Sequence, residues 1–339
     1  MNTYGIINDS EQLRNVTGSW WANADFSRIE RIVRSVESEL AAVVGNETMQ
    51  WIATGDGRSS EAWTHAACAV GYMACMRYYR LNDISHQDGG RKVKIDRDNE
   101  ARPFEWQLAR DDRAHLEEYY RALDRLLYAL QGVEVFTASK VCQQIQQLII
   151  PDADTLSTLT GLDPSPWLYL RLTPFLLESQ HFVEKAYGQP LAALASSGSS
   201  YSEASQGPSA SAGSTVGCAA ALPQPILEAA QRATALGALA LMGRRMSLQQ
   251  LPYGLMQLVV SNGGGNQELQ PTLDQLTTYL RALSHDQHYW LNEMRTLRDE
   301  AAAASSTVGS AAVGRAAASP QPTYLQVPAN DPNDKCFRL

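Results

Sequence analysis

Two stretches decide the fold: residues 24–45, "ADFSRIERIVRSVESELAAVVG", and residues 165–188, "SPWLYLRLTPFLLESQHFVEKAYG". In the first, Phe26, Ile29, Ile32, Val33, Val36, Leu40 and Val43 recur at helical spacing. Arg28, Glu30, Arg31, Arg34 and Glu37 are assigned to the opposite face, so the pattern predicts an amphipathic helix over Asp25 to Val44. Gly45 supplies the stop. With Gly188 set against Gly45, Tyr169 falls on Phe26, Leu172 on Ile29, Phe175 on Ile32, Leu176 on Val33 and Val183 on Leu40. Pro174 is expected to bend the second copy or mark its start.

The same order of parts follows each stretch. After Gly45 comes "NETMQWIATGDGRSS", read as a loop whose Ser59 or Ser60 caps a helix from Glu61 to Arg80. That helix is rich in small residues, and "PILEAAQRATALGALALMGRR" (225–245) stands in its place in the second half. Next come two ribbon candidates, "ISHQDGGRKVKIDRD" (84–98) and "LPYGLMQLVVSNGGGNQ" (251–267), each with a Gly-rich turn. Long helices close both halves, at about 111–131 and 272–300. The shared order implies an internal duplication, the plain alternative being two unrelated helical hairpins.

The expected fold class is mainly α. It comprises two tandem, similar helical subdomains, residues 1–135 and 136–300, with three main helices and one small β-hairpin each. The hairpins are placed near 84–96 and 251–268. A Ser/Gly-rich insertion (195–223) and a tail (301–339) are expected to be disordered. Val133 to Pro151 reads as one connecting helix.

The net charge of −8 and pI near 5.3 argue against a general nucleic-acid binder. The beginning of the chain has no basic segment followed by an apolar one, so no secretory signal is expected. The most apolar run, Ala233 to Met242, is too short to span a bilayer, and Arg232 and Arg244 flank it; it reads as a buried core helix. Cysteines 68, 75, 142, 218 and 336 show no regular spacing, which fits a reducing compartment.

Motifs that carry chemistry fail their spacing tests. Glu178-x-x-His181 is a single di-iron-like pair where a bundle site needs two, plus further glutamates. His285-x-x-His288 lacks a third ligand, so exposed or capping histidines are the expectation. Asp96-x-Asp98-x-Glu100 opens like a calcium loop, but Ala101 and Gln107 stand where Gly and Glu are required. "TGDGRSSE" (54–61) lacks the Lys-Ser/Thr of a phosphate-binding loop. No metal, cofactor or catalytic residue is assigned.

The residues "ARPFEWQ" (101–107), with Ile6-Ile7-Asn8, Leu13, Asp25-Phe26 and Gly45, resemble an uncharacterised family of Bacteroidetes and their phages and prophages. In that family a Phe-Lys-Trp-Gln-like motif follows the strand; Phe104, Trp106 and Gln107 stand at its positions. Leu251-Pro252 with Gly254-Leu255 looks like its second ribbon. More loosely, "SELAAVVG" and "AACAVGYMACMRYYR" make each half similar to the small helical head–tail connector (adaptor) proteins of tailed phages.

These resemblances imply a virion structural protein, found in a virion or the host cytoplasm. It would act by forming a homo-oligomeric ring and by meeting portal or tail components. The assembly candidates are Arg91, Lys92, Val93, Lys94, Ile95, Phe104, Trp106, Gln107, Leu255 and Gln257. The ribbons' open edges would pair with a strand of another chain, with Lys92 and Lys94 favouring an acidic neighbour. DNA contact enters only as lining of a passage. A cytosolic helical interaction adaptor is the alternative, and a helical-bundle metalloenzyme the less favoured one.

Overall fold

The computed structural model describes residues 4–21, 23–82, 85–87, 90–92, 104–191, 222–246, 257–261, 265–269 and 272–308. The described chain is mainly α-helical. It divides into one unit over Met1–Arg298 and another over Asp299–Leu339.

The first half opens with α1 (Ser10–Thr17), capped by Asp9, whose side chain accepts from the Gln12 N–H, and closed by Gly18 with φ +68°. Then come α2 (Ser27–Val44), α3 (Asn46–Ala53), α4 (Gly55–Arg58), α5 (Glu61–Asn82) and α6 (Glu105–Ala129). The loop expected at 46–60 is largely helical, because Met49, Ile52 and Ala53 share a helical face and bury it. Ile6, Ile7, Ile29, Val33, Leu40, Leu123 and Leu126 lie in the core of this half. Gly71 lets α5 lie close to α1: a Cβ there would sit 2.8 Å from Thr17 Cγ2 and 3.0 Å from Val16 Cγ2.

A single connecting helix over 133–151 does not form. Short helices α7 (Glu134–Thr137) and α8 (Lys140–Ile145) replace it. Ser139 breaks the run by accepting the Cys142 N–H at 3.3 Å, as a helix cap.

In the second half, α9 (Ala153–Thr160) is capped by Asp152, accepting from the Thr155 N–H, and closed by Gly161 with φ +73°. Next is α10 (Pro166–Tyr187), capped by Ser165. Pro174 therefore does not mark the start of α10; it lies inside it. Helix α11 (Gln224–Met246) packs on α10, and Ala229, Ala230, Ala233 and Ala238 are buried on it. The last helix, α12 (Leu273–Val308), runs past the expected tail boundary at residue 301; alanines at 301–304 favour its continuation. A separate core gathers Ile150, Leu172, Leu176, Val183, Ala230 and Met294.

Two antiparallel pairs are described. Strand β1 (Ser85–Gln87) pairs with β2 (Gly90–Lys92), His86 opposite Arg91. Strand β3 (Gln257–Ser261) pairs with β4 (Gly265–Leu269), Val259 opposite Gln267. Among the described residues neither pair has a third strand. The insertion lies outside the described residues except for Leu222 and Pro223, as does the tail beyond Val308. No described helix is long and apolar enough to cross a membrane.

Candidate assembly interface

The expected interaction residues fall in three places. Arg91 and Lys92 lie in β2, and Gln257 opens β3. Val93, Lys94, Ile95 and Leu255 lie outside the described residues. Phe104, Trp106 and Gln107 stand at the start of α6. Gln107 has a local task there: its Oε1 accepts the Phe104 N–H at 2.9 Å, closing the first turn. The Phe104 ring is 68% exposed. At the start of α12, Gln275 Oε1 likewise accepts the Thr272 N–H at 3.0 Å, and Thr272 Oγ1 accepts the Gln275 N–H.

One side chain assigned to the wet face of α2 is buried. Glu37 is fully buried, and its Oε1 accepts the Ile6 N–H at 2.9 Å and the Ile7 N–H at 3.4 Å. Arg34 pairs with the same oxygen at 3.0 Å and also donates to the Ile7 carbonyl. The carboxylate thereby holds the entering segment against α2. In the second half Gln180 does this work: its Oε1 accepts the Ile149 N–H at 2.9 Å, and its Nε2 donates to the Gln147 carbonyl. Gln180 stands 143 positions after Glu37. The same spacing separates Ile149 from Ile6, Asp152 from Asp9, Leu156 from Leu13, Gly161 from Gly18 and Gly188 from Gly45.

The two halves meet where α6 crosses the start of α10. Asp124 Oδ1 accepts the Ser165 hydroxyl at 2.9 Å and the Trp167 N–H at 2.8 Å. The Tyr128 hydroxyl donates to Asp154 Oδ1 at 2.9 Å. Trp167 and Leu170 pack against the core of the first half. Beside them a pocket of about 270 Å³ opens between Leu127, Phe136, Cys142, Ile145 and Tyr169. Burial raises the Asp124 carboxyl above its ordinary value, against the pull of the Trp167 N–H and the Ser165 hydroxyl. Burial and the Asp154 bond push the Tyr128 hydroxyl up to about 12.

Because its folded pKa is raised, Asp124 favours folding most below its unfolded pKa and progressively less as pH rises through the folded value. Asp124→Asn keeps an acceptor without the charge. Its stability relative to wild type is expected to improve as pH rises through the acid range. Asp124→Ala orphans the Trp167 N–H and is expected to cost about 1–3 kcal/mol. Urea titrations of both variants across pH check the pair of outcomes.

The groups considered for chemistry are engaged or dispersed. The Glu178 carboxylate is forked by Arg245 at 2.6 and 2.8 Å, which lowers its pKa, and His181 is exposed. His285 and His288 are exposed. His115 differs from these three. It is buried, its Nδ1 lies 3.0 Å from the Asp111 carbonyl and its Nε2 lies 3.4 Å from Ser19 Oγ, with Tyr72 and Tyr79 edge-on. That geometry makes Nδ1 the donor. Burial pushes the Cys75 thiol up to about 12 and raises Cys68 and Cys142, so these three favour the thiol form. Among the described residues no cluster of three or more metal-ligating side chains occurs.

No family model, curated protein or solved structure matches the chain.

Sequence reasoning missed Glu37, Asp124 and Trp21, the last 74% exposed in the α1–α2 connection. Glu37 had a signal. It falls between Val33 and Leu40 on the apolar stripe, where a charge requires a partner. Asp124 had none, because its partners lie 41 and 43 residues away.

Proposed function

We propose that this chain is a non-enzymatic virion structural protein of the head–tail connector kind, acting by oligomeric assembly, and that it arose by duplication of one helical unit. The observation that carries the assembly reading is the pair of two-stranded ribbons. An isolated two-stranded ribbon is marginal in water, and among the described residues neither ribbon has a third strand on its outer edges. A strand from another chain satisfies both needs. Arg91 and Lys92 give the first ribbon a basic character that an acidic neighbour complements.

Several features support the duplication. Asp9 and Asp152 cap equivalent helices, Gly18 and Gly161 end them, and Glu37 and Gln180 hold equivalent Ile-Ile segments. The portal or tail component remains the partner class that the connector resemblance implies.

Gradient fractionation of lysates containing assembled particles tests the reading. The protein is expected to sediment with particles that hold portal protein. Recovery only at the top of the gradient contradicts it.

A further inference from the structure

A cavity of about 220 Å³ opens between α10, α11 and α12, with Ser179, Phe182, Gly237, Leu241, Gln287 and Leu291 among its lining. Its lining is largely apolar, with one polar spot where the three helices approach most closely. There the Ser179 hydroxyl and the Gln287 amide converge over Gly237, and a Cβ at that glycine would overlap both. Ser179 is 1% exposed, and its Oγ has no hydrogen-bond partner among the described residues. A buried hydroxyl in that state is unfavourable, and in the wall of a cavity it points to a partner that is missing.

The first half fills the corresponding place with its own side chains. Gln275 is set on Gln107, the two glutamines that close their helices' first turns. Leu283, Leu291 and Met294 of α12 then fall on His115, Leu123 and Leu126 of α6, and all six are buried. In that register Ser284 falls on Leu116 and Gln287 on Tyr119, while the 143-residue spacing sets Ser179 on Val36. Val36 and Leu116 belong to the core of the first half, and Tyr119 packs against it. The second half thus has two hydroxyls and an amide where the first has two aliphatic side chains and a phenol ring. The ring is the largest volume lost.

We propose that this cavity binds a small phenol, a ligand that brings the ring and hydroxyl that Tyr119 supplies in the first half. The inference goes beyond the assembly reading and uses the repeat only for the comparison with Tyr119. Size agrees: an apolar cavity of about 150 Å³ takes benzene, so this one admits a single ring with a hydroxyl and a methyl group. Phe182, Leu241 and Leu291 offer the ring apolar contacts. The ligand hydroxyl meets Ser179 and Gln287, each of which can donate and accept. Gln287 is half-buried and flexible, and turning it aside opens the Ser179 hydroxyl to the ligand. Arg244 also lines the cavity and donates to Ser284 Oγ at 2.8 Å; a ligand governed by that cation would be a carboxylate instead.

The full chain is titrated with p-cresol, toluene and benzoate by isothermal calorimetry, with thermal melting alongside. p-Cresol is expected to saturate one site with a Kd of about 1 mM or tighter and to raise the melting temperature. Toluene, which lacks the hydroxyl, is expected to bind about fivefold more weakly. Ser179→Ala is expected to weaken p-cresol about fivefold and to leave toluene unchanged. Gln287→Tyr rebuilds in the second half the side chain of the first, and is expected to abolish binding of both. Ser284→Leu is the smaller filling substitution and is expected to weaken both about tenfold, so that the outcome does not hang on one variant. Circular dichroism confirms that each variant folds.

No saturable p-cresol binding at about 10 mM, tenfold above that Kd, overturns the proposal. So does p-cresol binding that survives both Gln287→Tyr and Ser284→Leu, or an affinity for p-cresol that Ser179→Ala leaves intact. Benzoate binding more tightly than p-cresol overturns the phenol assignment in favour of the Arg244 end. Particle fractionation tests the virion role independently.

Discussion

Glu37→Ala is expected to destabilise the folded chain by about 3–5 kcal/mol, the cost of leaving one partner of a buried ion pair unpaired. Glu37 is fully buried and the Arg34 side chain is 13% exposed, so water cannot readily replace the lost carboxylate. The Ile6 N–H loses its acceptor as well. Glu37→Gln should cost far less, about 1–2 kcal/mol, because the amide oxygen still accepts that N–H and only the Arg34 pairing is weakened.

Gln180 gives the natural control. It already performs the backbone-holding task as an amide. Three positions before Gln180, where Arg34 stands before Glu37, α10 has Leu177, which offers no cation. Gln180→Glu should therefore bury a carboxylate without an equivalent of Arg34, and Glu184 one turn away adds repulsion. Its cost is expected to match that of Glu37→Ala. Urea unfolding of all three variants checks the order. Equal stability of Glu37→Ala and wild type would show that the carboxylate does not hold the entering segment.

Gly237→Leu is the second large effect, expected to cost about 3 kcal/mol through overpacking. A Cβ at Gly237 would overlap the Gln287 amide and the Ser179 hydroxyl, so α11 lies close to both α10 and α12 only because no side chain intervenes. Gly237→Ala should also destabilise, but less, since alanine regains about 1 kcal/mol of helix propensity. Gln287 is the flexible obstacle, and Gly237→Ala combined with Gln287→Ala should recover part of the loss. Calorimetric melting of the single and double variants measures this. A Gly237→Leu chain as stable as wild type would mean that the three helices are not in close contact there.

Helical character was legible because it is local. The stripe from Phe26 to Val43, the stop at Gly45 and the small-residue helices all lie within a few turns of sequence. The readings that went astray depended on distant partners. Glu37 looked like one more charge on a charged face; only the return of Ile6 and Ile7, some 30 residues away, explains its burial. The joint at Asp124 was not legible, because Ser165 and Trp167 come to it from across three short helices. Residues 46–53 were read as loop because Gly45 marks a helix end; the chain merely changes direction there and resumes as α3. Pro174 carried a strong local prior as a boundary, yet Ser165 and Pro166 start α10 two turns earlier.

The proposed virion assignment draws on the connector resemblance, the two-stranded ribbons among the described residues and the proposed duplication together. Its most direct test is quantitative mass spectrometry of gradient-purified particles, with the ratio of this chain to portal protein as the readout. A virion connector is expected at one fixed ratio across preparations and after repeated purification. Particles that contain portal and capsid protein but none of this chain would contradict the assignment.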